Sequence, residues 1–467
     1  MSKKIHFIGV KGVGMAALAT YAKEAGFEVT GSDNEQSFVT DPILKKIDLV
    51  ATPFAVKNLS YNPDMVVISA AYDKENVELK EAKKKHLEIK TYSEALGYFS
   101  QDRQVIAVAG IHGKTTTAAM IAWILTQANL DPSFIVGAGE IKNFLTNAHF
   151  GQGDYFVLEA DEYRKSGEDS TSKFLDLRPK IEIISSIEMD HPDLFSSEEA
   201  VYNAFYKFAC RLPRDGFIVL CLDYIKARKL QRSLVDRNFE TYGFSDGVEW
   251  KIIDFSEDEE ITAFSLIRSS GEKVGPFKLI VPGEINVLNA AAAVITCLKI
   301  GVEEKGIKKY LGKFAGVKRR FEKIAEVKNV TIIDDYAHHP RSIKKTLEAA
   351  KNKFPNAKIW CIFQPHTYSR TKTLLSDFAK SFQSADKVII TDIYASEREN
   401  KPTISGQDLA NAVRENQRST RFIPEWSKIR QDLADSVIGS SIIITMGAGD
   451  IYKLAEQIYQ DLKSANG

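Results

Sequence analysis

The chain has 467 residues, more than one ordinary hydrophobic core holds, which implies about two to four domains. Lysine and arginine number 62, as do aspartate and glutamate, so the formal net charge is zero. No global field then exists to hold a polyanion, which argues against general nucleic-acid binding but leaves room for a local basic site. With 44% hydrophobic and 27% charged residues, the sequence is that of a folded protein with sizeable cores.

In chain order, Ile5–Val10 reads as a strand, Met15–Ala25 as a helix, Phe27–Thr30 and Met65–Ser69 as strands, and Glu75–Lys85 as a charged helix. Strands alternating with helices predict a parallel sheet with crossover helices. The pattern restarts near Ser100–Arg103 with a strand at Val105–Ala109, a glycine-rich turn and an apolar helix through Ala128. Strands follow at Tyr155–Glu159, Ile181–Ser185 and Phe217–Leu222. The stretch Val248–Val281 reads as antiparallel β and Val287–Ile300 as an alanine-rich helix. A third restart follows Arg320–Glu322: strands Val330–Asp334, Ile359–Phe363, Lys387–Thr391 and Ser441–Thr445, helices Ser342–Lys353 and Leu374–Phe382, and a last helix. Three α/β units are expected. Cys210, Cys221, Cys297 and Cys361 stand far apart, as buried thiols of a reducing cytoplasm would. No apolar stretch reaches the length of a membrane helix, so a soluble cytoplasmic protein without a membrane partner is expected.

The strongest chemical signal is Gly110-Ile111-His112-Gly113-Lys114-Thr115-Thr116-Thr117 between a strand and a helix. A glycine-rich turn lets backbone N–H groups close around phosphate oxygens, and the helix N-terminus adds positive charge. Lys114 suits β- and γ-phosphates, and the Thr115 hydroxyl suits Mg²⁺. The first glycine stands three residues before Gly113, not five as in the standard phosphate loop.

The loop Gly9-Val10-Lys11-Gly12-Val13-Gly14, with Asp33 about twenty residues on, resembles a dinucleotide fingerprint with Lys11 in place of the second glycine. It reads equally as a nucleotide-diphosphate loop with Asp33 on a ribose and as a structural turn. Glu159-Ala160-Asp161-Glu162 and Glu188-Met189-Asp190-His191 end apolar strands, where open α/β sheets bind ligands. Beside a phosphate loop they are candidate ligands of Mg²⁺; without it they are solvated strand ends. Gly316–Phe321 is a compact basic cluster, either a surface patch or, at a domain junction, a clamp on a transferring phosphoryl group. Asp334–Pro340 and Phe363–Arg370 also follow apolar strands; His366 and Arg370, four apart, suit one helical turn facing a bound carboxylate. A nicotinamide dehydrogenase is disfavoured by Lys11 and the phosphate loop, and a P-loop switch by the lack of switch-like segments.

The stretches HFIGV..GVGM, AG.HGKTTT, EADEY, DHPD, NVLNAAAA, GVKRRF, DDYAHHP, FQPH.YSR and GAGDI occur in the order seen in the Mur ligases, and the chain resembles that family over nearly its whole length. The resemblance implies three domains: a Rossmann-like UDP-sugar domain (1–102), a central P-loop ATPase domain (103–322) and a Rossmann-like domain for the incoming amine (323–467). It implies ATP contacts from Gly110, His112, Gly113, Lys114, Thr115 and Thr116, with Asn286 and Asn289 in the adenine segment, Arg320 in the phosphate segment and Asp335 in the ribose segment. It implies Mg²⁺ at Thr115 and a second Mg²⁺ served by Glu159 and His191, with Lys114, His191 and Arg320 carrying the chemistry. Gly12, Gly14, Asp33 and Ser69 fall on the UDP-sugar side, and Tyr336, His366 and Arg370 near the amino-acid pocket.

Within the family, the residues resemble most the branch that joins L-alanine to UDP-N-acetylmuramate in peptidoglycan precursor synthesis. The long Glu162–Phe174 segment also resembles the branch that attaches L-alanyl-γ-D-glutamyl-meso-diaminopimelate to the same UDP-sugar. Three positions depart from the family pattern: Lys11 for glycine, Ile285 for a histidine and Thr367 for an arginine.

Overall fold

The computed structural model describes residues 2–72, 74–395, 399, 402–437 and 439–464. Among them three sheets form. The first is four-stranded and all parallel, in the order Glu28–Ser32, Lys4–Ile8, Met65–Ile68, Glu88–Thr91. Of its inner strands, Met65–Ile68 reads as an unbroken apolar run, and Lys4–Ile8 is interrupted only by the buried His6, because both faces are covered. The helix Val77–Lys84 starts at Asn76, whose side chain accepts from Glu78 N and Leu79 N at 2.9 and 3.2 Å. The strand Glu88–Thr91 and helix Tyr92–Ser100 escape the periodicity reading because the strand is short and half polar; the helix is opened by a Thr91/Glu94 capping box.

The second sheet has ten strands, in spatial order Lys273–Leu279, Thr262–Arg268, Trp250–Glu257, Asn238–Gly243, Phe217–Cys221, Ile181–Ile184, Gln104–Ala109, Tyr155–Glu159, Ser133–Ile135 and Ala148–His149. Its middle is parallel, and 250–279 is an antiparallel meander. The helix Lys114–Gln127 is apolar on all sides because it lies between this sheet and the helix Glu284–Lys299, whose Ala290–Ala293 run lets the two approach closely.

The third sheet runs Glu322–Val327, Val330–Asp335, Ser441–Met446, Lys358–Phe363, Lys387–Ile390, Thr420–Phe422, parallel apart from the first pair, with an apolar core on each face. The helix expected over Leu374–Phe382 is shorter, Leu375–Phe378, and a further short helix, Tyr368–Thr373, precedes it. The latter begins at Thr367, whose φ of 66° lies in the left-handed region that β-branched residues rarely enter. No helix among the described residues is long and apolar enough to cross a membrane.

One apolar core runs through the first and second units. Tyr21 of the helix Val13–Glu24 stacks on Phe156 with centroids 5.0 Å apart and meets Phe99 and Phe150 edge-on. At the rim of this seam His149 faces carboxylates with both ring nitrogens: Nδ1 lies 3.0 Å from Glu24 and Nε2 3.2 Å from Asp131. Glu24 also accepts from Phe150 N at 2.8 Å, and Arg103 is the cation that acts on Asp131. The hydrogen bond to Glu24, reinforced by Asp131, raises the imidazole above its ordinary 6.5 against the opposing effect of burial. A raised folded-state pKa gives stabilisation that is complete below the unfolded value and lost as pH rises through the folded one. As pH rises from the ordinary imidazole value of 6.5 through the raised one, the melting temperature is therefore expected to fall more steeply in the native protein than in His149→Gln. Equal slopes in a thermal-denaturation series would remove this clamp from the account.

Candidate active site

The three units enclose a cavity of 460 Å³. The first contributes Gly12, Gly14, Ser69 and Tyr92. The second contributes His112–Thr116, Glu159, Asp161, Glu162, His191, Asn286 and Asn289, and the segment after it Arg320, Asp335, Tyr336, His338, Ser342 and Lys345.

The strand Gln104–Ala109 ends at a turn that only glycine fits. Gly110 has φ +131°, and a Cβ there would stand 2.2 Å from Ser185 Oγ; Gly113 has φ +82°, and its Cβ would stand 2.1 Å from Asn289 Oδ1. The turn delivers Lys114 to the N-terminus of its helix, where Nζ donates to both Glu162 oxygens at 2.8 and 3.2 Å and to Gly110 O at 2.5 Å. Burial alone would lower the ammonium pKa; the carboxylates of Glu162, Asp161 and Glu159 outweigh it and hold the group charged. The sequence places Glu162 in the Glu159–Glu162 run of candidate Mg²⁺ ligands; here its carboxylate instead accepts from Lys114.

Thr115 Oγ1 donates to Glu159 at 3.1 Å and accepts from Arg320 Nη2 at 3.1 Å. The other Glu159 oxygen accepts from Gly137 N at 2.5 Å. Burial raises the Glu159 pKa, against the pull of Arg320 and Lys114. His191 is held at φ 50° with Nε2 3.5 Å from Glu162. A non-glycine residue in the left-handed region at a cavity wall is a position over-determined by its surroundings. Among the described residues no group of three or more His, Cys, Asp or Glu side chains is set to hold a metal ion. The Thr115 hydroxyl and Glu159 carboxylate nevertheless form an adjacent oxygen pair, the donor set that fits Mg²⁺ when phosphate oxygens and water complete its shell.

Arg319 and Arg320 divide their work. Arg319 is buried, with Nε donating to Asp334 at 3.0 Å, Nη1 to Gly449 O at 3.0 Å and Nη2 to Gly447 O at 2.6 Å. This anchoring leaves Arg320 in the cavity. Asp335 accepts from Phe321 N at 2.6 Å and Ala337 N at 2.7 Å, so in this state it pins two cavity loops together.

Four of the candidates lie off the cavity wall: Gly110, Asp33, His366 and Arg370. Asp33 is buried and accepts from Lys11 N and Tyr72 Oη, both at 2.7 Å, which fixes the Gly9–Gly14 loop. Lys11 Nζ donates to Asn34 O at 2.9 Å and Gln36 O at 2.8 Å, folding its side chain back onto the 34–36 loop. His366 precedes the helix that carries Arg370, and the two meet at 3.2 Å between Nδ1 and Nη1. The carboxylate that Arg370 faces belongs to the chain itself: Nε donates to Asp190 at 2.8 Å. Burial would raise the Asp190 carboxyl pKa, but the Arg370 guanidinium holds it well below the usual carboxylate range.

Further polar contacts join the third unit to the second. His112 Nε2 lies 3.0 Å from Glu188, which accepts from Arg341 at 2.7 Å, while His112 Nδ1 lies 3.1 Å from Ser342 Oγ. His339 Nε2 lies 3.2 Å from Met189 O, and burial beside His112 pushes its pKa down to about 4. His338 and His339 face different partners, Tyr336 O and Met189 O.

The arrangement has counterparts. Residues 4–104 match the model described as "Mur ligase family, catalytic domain", 108–297 the "Mur ligase middle domain", and 319–449 "Mur ligase, glutamate ligase domain". The UDP-N-acetylmuramate–L-alanine ligase of Caldanaerobacter subterraneus subsp. tengcongensis is 38% identical over 99% of this chain and 98% of its own. The crystal structure of UDP-N-acetylmuramate-alanine ligase from Thermotoga maritima superposes with a TM-score of 0.83 at 27% identity, covering 99% of both chains. A murein peptide ligase from Psychrobacter arcticus gives 0.73 at 26% identity, again over 99% of both. With all three units matched in order and a relative of this identity spanning the full length, the chain belongs to the Mur ligase family.

Proposed function

We propose that the chain is an ATP-dependent, ADP-forming ligase that joins L-alanine to UDP-N-acetylmuramate through an acyl phosphate, a cytoplasmic step of peptidoglycan precursor synthesis. The observation that carries this reading is the cavity in which a phosphate loop, a second glycine loop and an arginine from the last junction converge. We assign UDP-sugar to 1–102, ATP to 103–322 and the amine to 323–467.

A carboxylate is a poor acyl donor because its leaving oxygen is too basic, and transfer of the γ-phosphoryl group of ATP converts it into a good one. The amine then attacks the acyl carbon and phosphate leaves. Little covalent work falls to the protein, whose part is positioning and charge neutralisation. Lys114, already charged, exchanges its Glu162 partner for phosphate oxygens. Arg320, held over Thr115, neutralises the transferring group. Thr115, Glu159 and His191 are the residues that would hold Mg²⁺, which supplies further charge neutralisation at the phosphates when bound. The contacts of the third unit with the second bring its side chains to the cavity beside the phosphate loop.

The test is a coupled ADP-release assay with UDP-N-acetylmuramate, ATP and Mg²⁺, supplied with L-alanine or with L-alanyl-γ-D-glutamyl-meso-diaminopimelate. Release with L-alanine is expected to exceed release with the tripeptide by at least about tenfold, a difference of about 1.4 kcal/mol. A second reading, attachment of the tripeptide, rests on the weaker structural likeness to the Psychrobacter murein peptide ligase, and faster turnover of the tripeptide would establish it.

A further inference from the structure

Of the first unit's side chains on the cavity wall, Ser69 and Tyr92 alone carry a hydroxyl; the others are glycine, valine, methionine and alanine. Ser69 Oγ accepts from Ala71 N at 3.3 Å. The Tyr92 hydroxyl has no hydrogen-bond partner among the described residues, although its ring is fixed. The Thr91/Glu94 capping box sets the start of its helix. The ring tip lies on the backbone of the glycine loop: a Cβ at Gly14 would stand 2.9 Å from Cζ, 3.0 Å from Oη and 3.1 Å from Cε2. Gly14 has an ordinary backbone conformation, so this close approach, not its φ, is what requires glycine there.

Tyr92 thus stands where the glycine loop of the first unit meets the carboxylates of the second. Burial, with Glu159 and Asp161 adding to it, raises the phenol pKa far above 10.0, so the group is a neutral O–H donor at physiological pH. A rigid donor with an open hydrogen-bonding position, on a cavity wall that also carries Lys114 and Arg320, suits an acceptor oxygen of an anionic ligand that spans the two loops.

We propose that Tyr92 contacts substrate, its hydroxyl donating to an oxygen of the muramoyl arm of the UDP-sugar and holding the lactyl carboxylate toward Lys114 and Thr115. This rests on the ligase reading above. A diphosphate bound at the Gly9–Gly14 loop places the sugar beyond its phosphates, and Tyr92 is the hydroxyl between that loop and the phosphate loop. The contact distinguishes UDP-N-acetylmuramate from UDP alone.

The experiment compares the native enzyme with Tyr92→Phe, which keeps the ring on Gly14 and deletes only the hydroxyl. Calorimetric Kd for UDP-N-acetylmuramate is expected to rise about tenfold, the scale of one hydrogen bond to a charged or strongly polar acceptor. The Kd for UDP should stay within about twofold, as should the KM for ATP and for L-alanine. Gly14→Ala, which drives a Cβ into the ring, is expected to weaken UDP-N-acetylmuramate binding as well, and its effect should not add to that of Tyr92→Phe. Unchanged Kd for UDP-N-acetylmuramate in Tyr92→Phe, or equal losses for UDP and UDP-N-acetylmuramate, would overturn the assignment. Failure of the ligase reading shows separately, as absence of UDP-N-acetylmuramate binding and of amine-dependent ADP release in the native enzyme.

Discussion

Lys114→Ala is expected to lower ATP-dependent turnover by about 10³-fold or more, because the phosphate loop loses its one mobile positive charge at the transferring group. Folding should also suffer, for a reason visible only in three dimensions. Glu162 is 1% exposed, and without Lys114 it keeps only the His191 imidazole, 3.5 Å away. Leaving a buried carboxylate short of its partner costs about 1–3 kcal/mol. Adding Glu162→Gln neutralises the orphaned group, so the double variant should recover its melting temperature while turnover stays lost. Steady-state ADP release and thermal denaturation, measured on both variants, separate the two effects. Turnover near the native rate in Lys114→Ala would remove the phosphate-loop assignment altogether.

Arg370→Ala is the second large effect. Arg370 and Asp190 pair at 2.8 Å with side chains each 4% exposed, and the pair ties the third unit to a cavity loop of the second. Removing one member of such a pair costs about 3–5 kcal/mol, because the other charge stays buried alone. kcat/KM for L-alanine is therefore expected to fall by about 10²–10³-fold. The KM for L-alanine should rise more than that for ATP if, as proposed above, ATP is held by the second unit. Asp190→Ala combined with Arg370→Ala should lose less than the product of the single losses. An L-alanine KM unchanged in Arg370→Ala would detach this residue from the amine side.

The sequence made the strands and the two glycine loops legible, because parallel strands covered on both faces read as apolar runs and tight turns demand glycine. It concealed what depends on pairing across units. By spacing Asp33 reads equally as a ribose ligand and as part of a structural turn, and only the fold shows its carboxylate accepting from Lys11 N and Tyr72 Oη. Arg370 reads as facing a bound carboxylate, yet Asp190, 180 residues earlier in the chain, already occupies one of its faces. Glu162 and Arg319 were legible as residue types, but nothing in their spacing says that one neutralises Lys114 and the other anchors the loop before Arg320. Tyr92 has no motif at all. Its place emerges only when the start of its helix is set against Gly14.

The two seams of the molecule differ in what they would expose on parting. Between the first and second units the centre of the contact is dry: Tyr21, Phe99, Phe150 and Phe156 share one apolar core inside the Glu24–His149 rim, and separating them would wet aromatic surface. Between the second and third, much of the contact is ion pairs and hydrogen bonds, such as Arg341–Glu188, Lys345–Glu284 and Ser342–His112, and the third unit keeps apolar cores of its own. Polar partners can trade one another for water at small net free energy, whereas aromatic rings cannot. The third unit is therefore expected to part from the second more readily than the second from the first, with the Arg319–Phe321 turn, left-handed at 319 and 321, at the join.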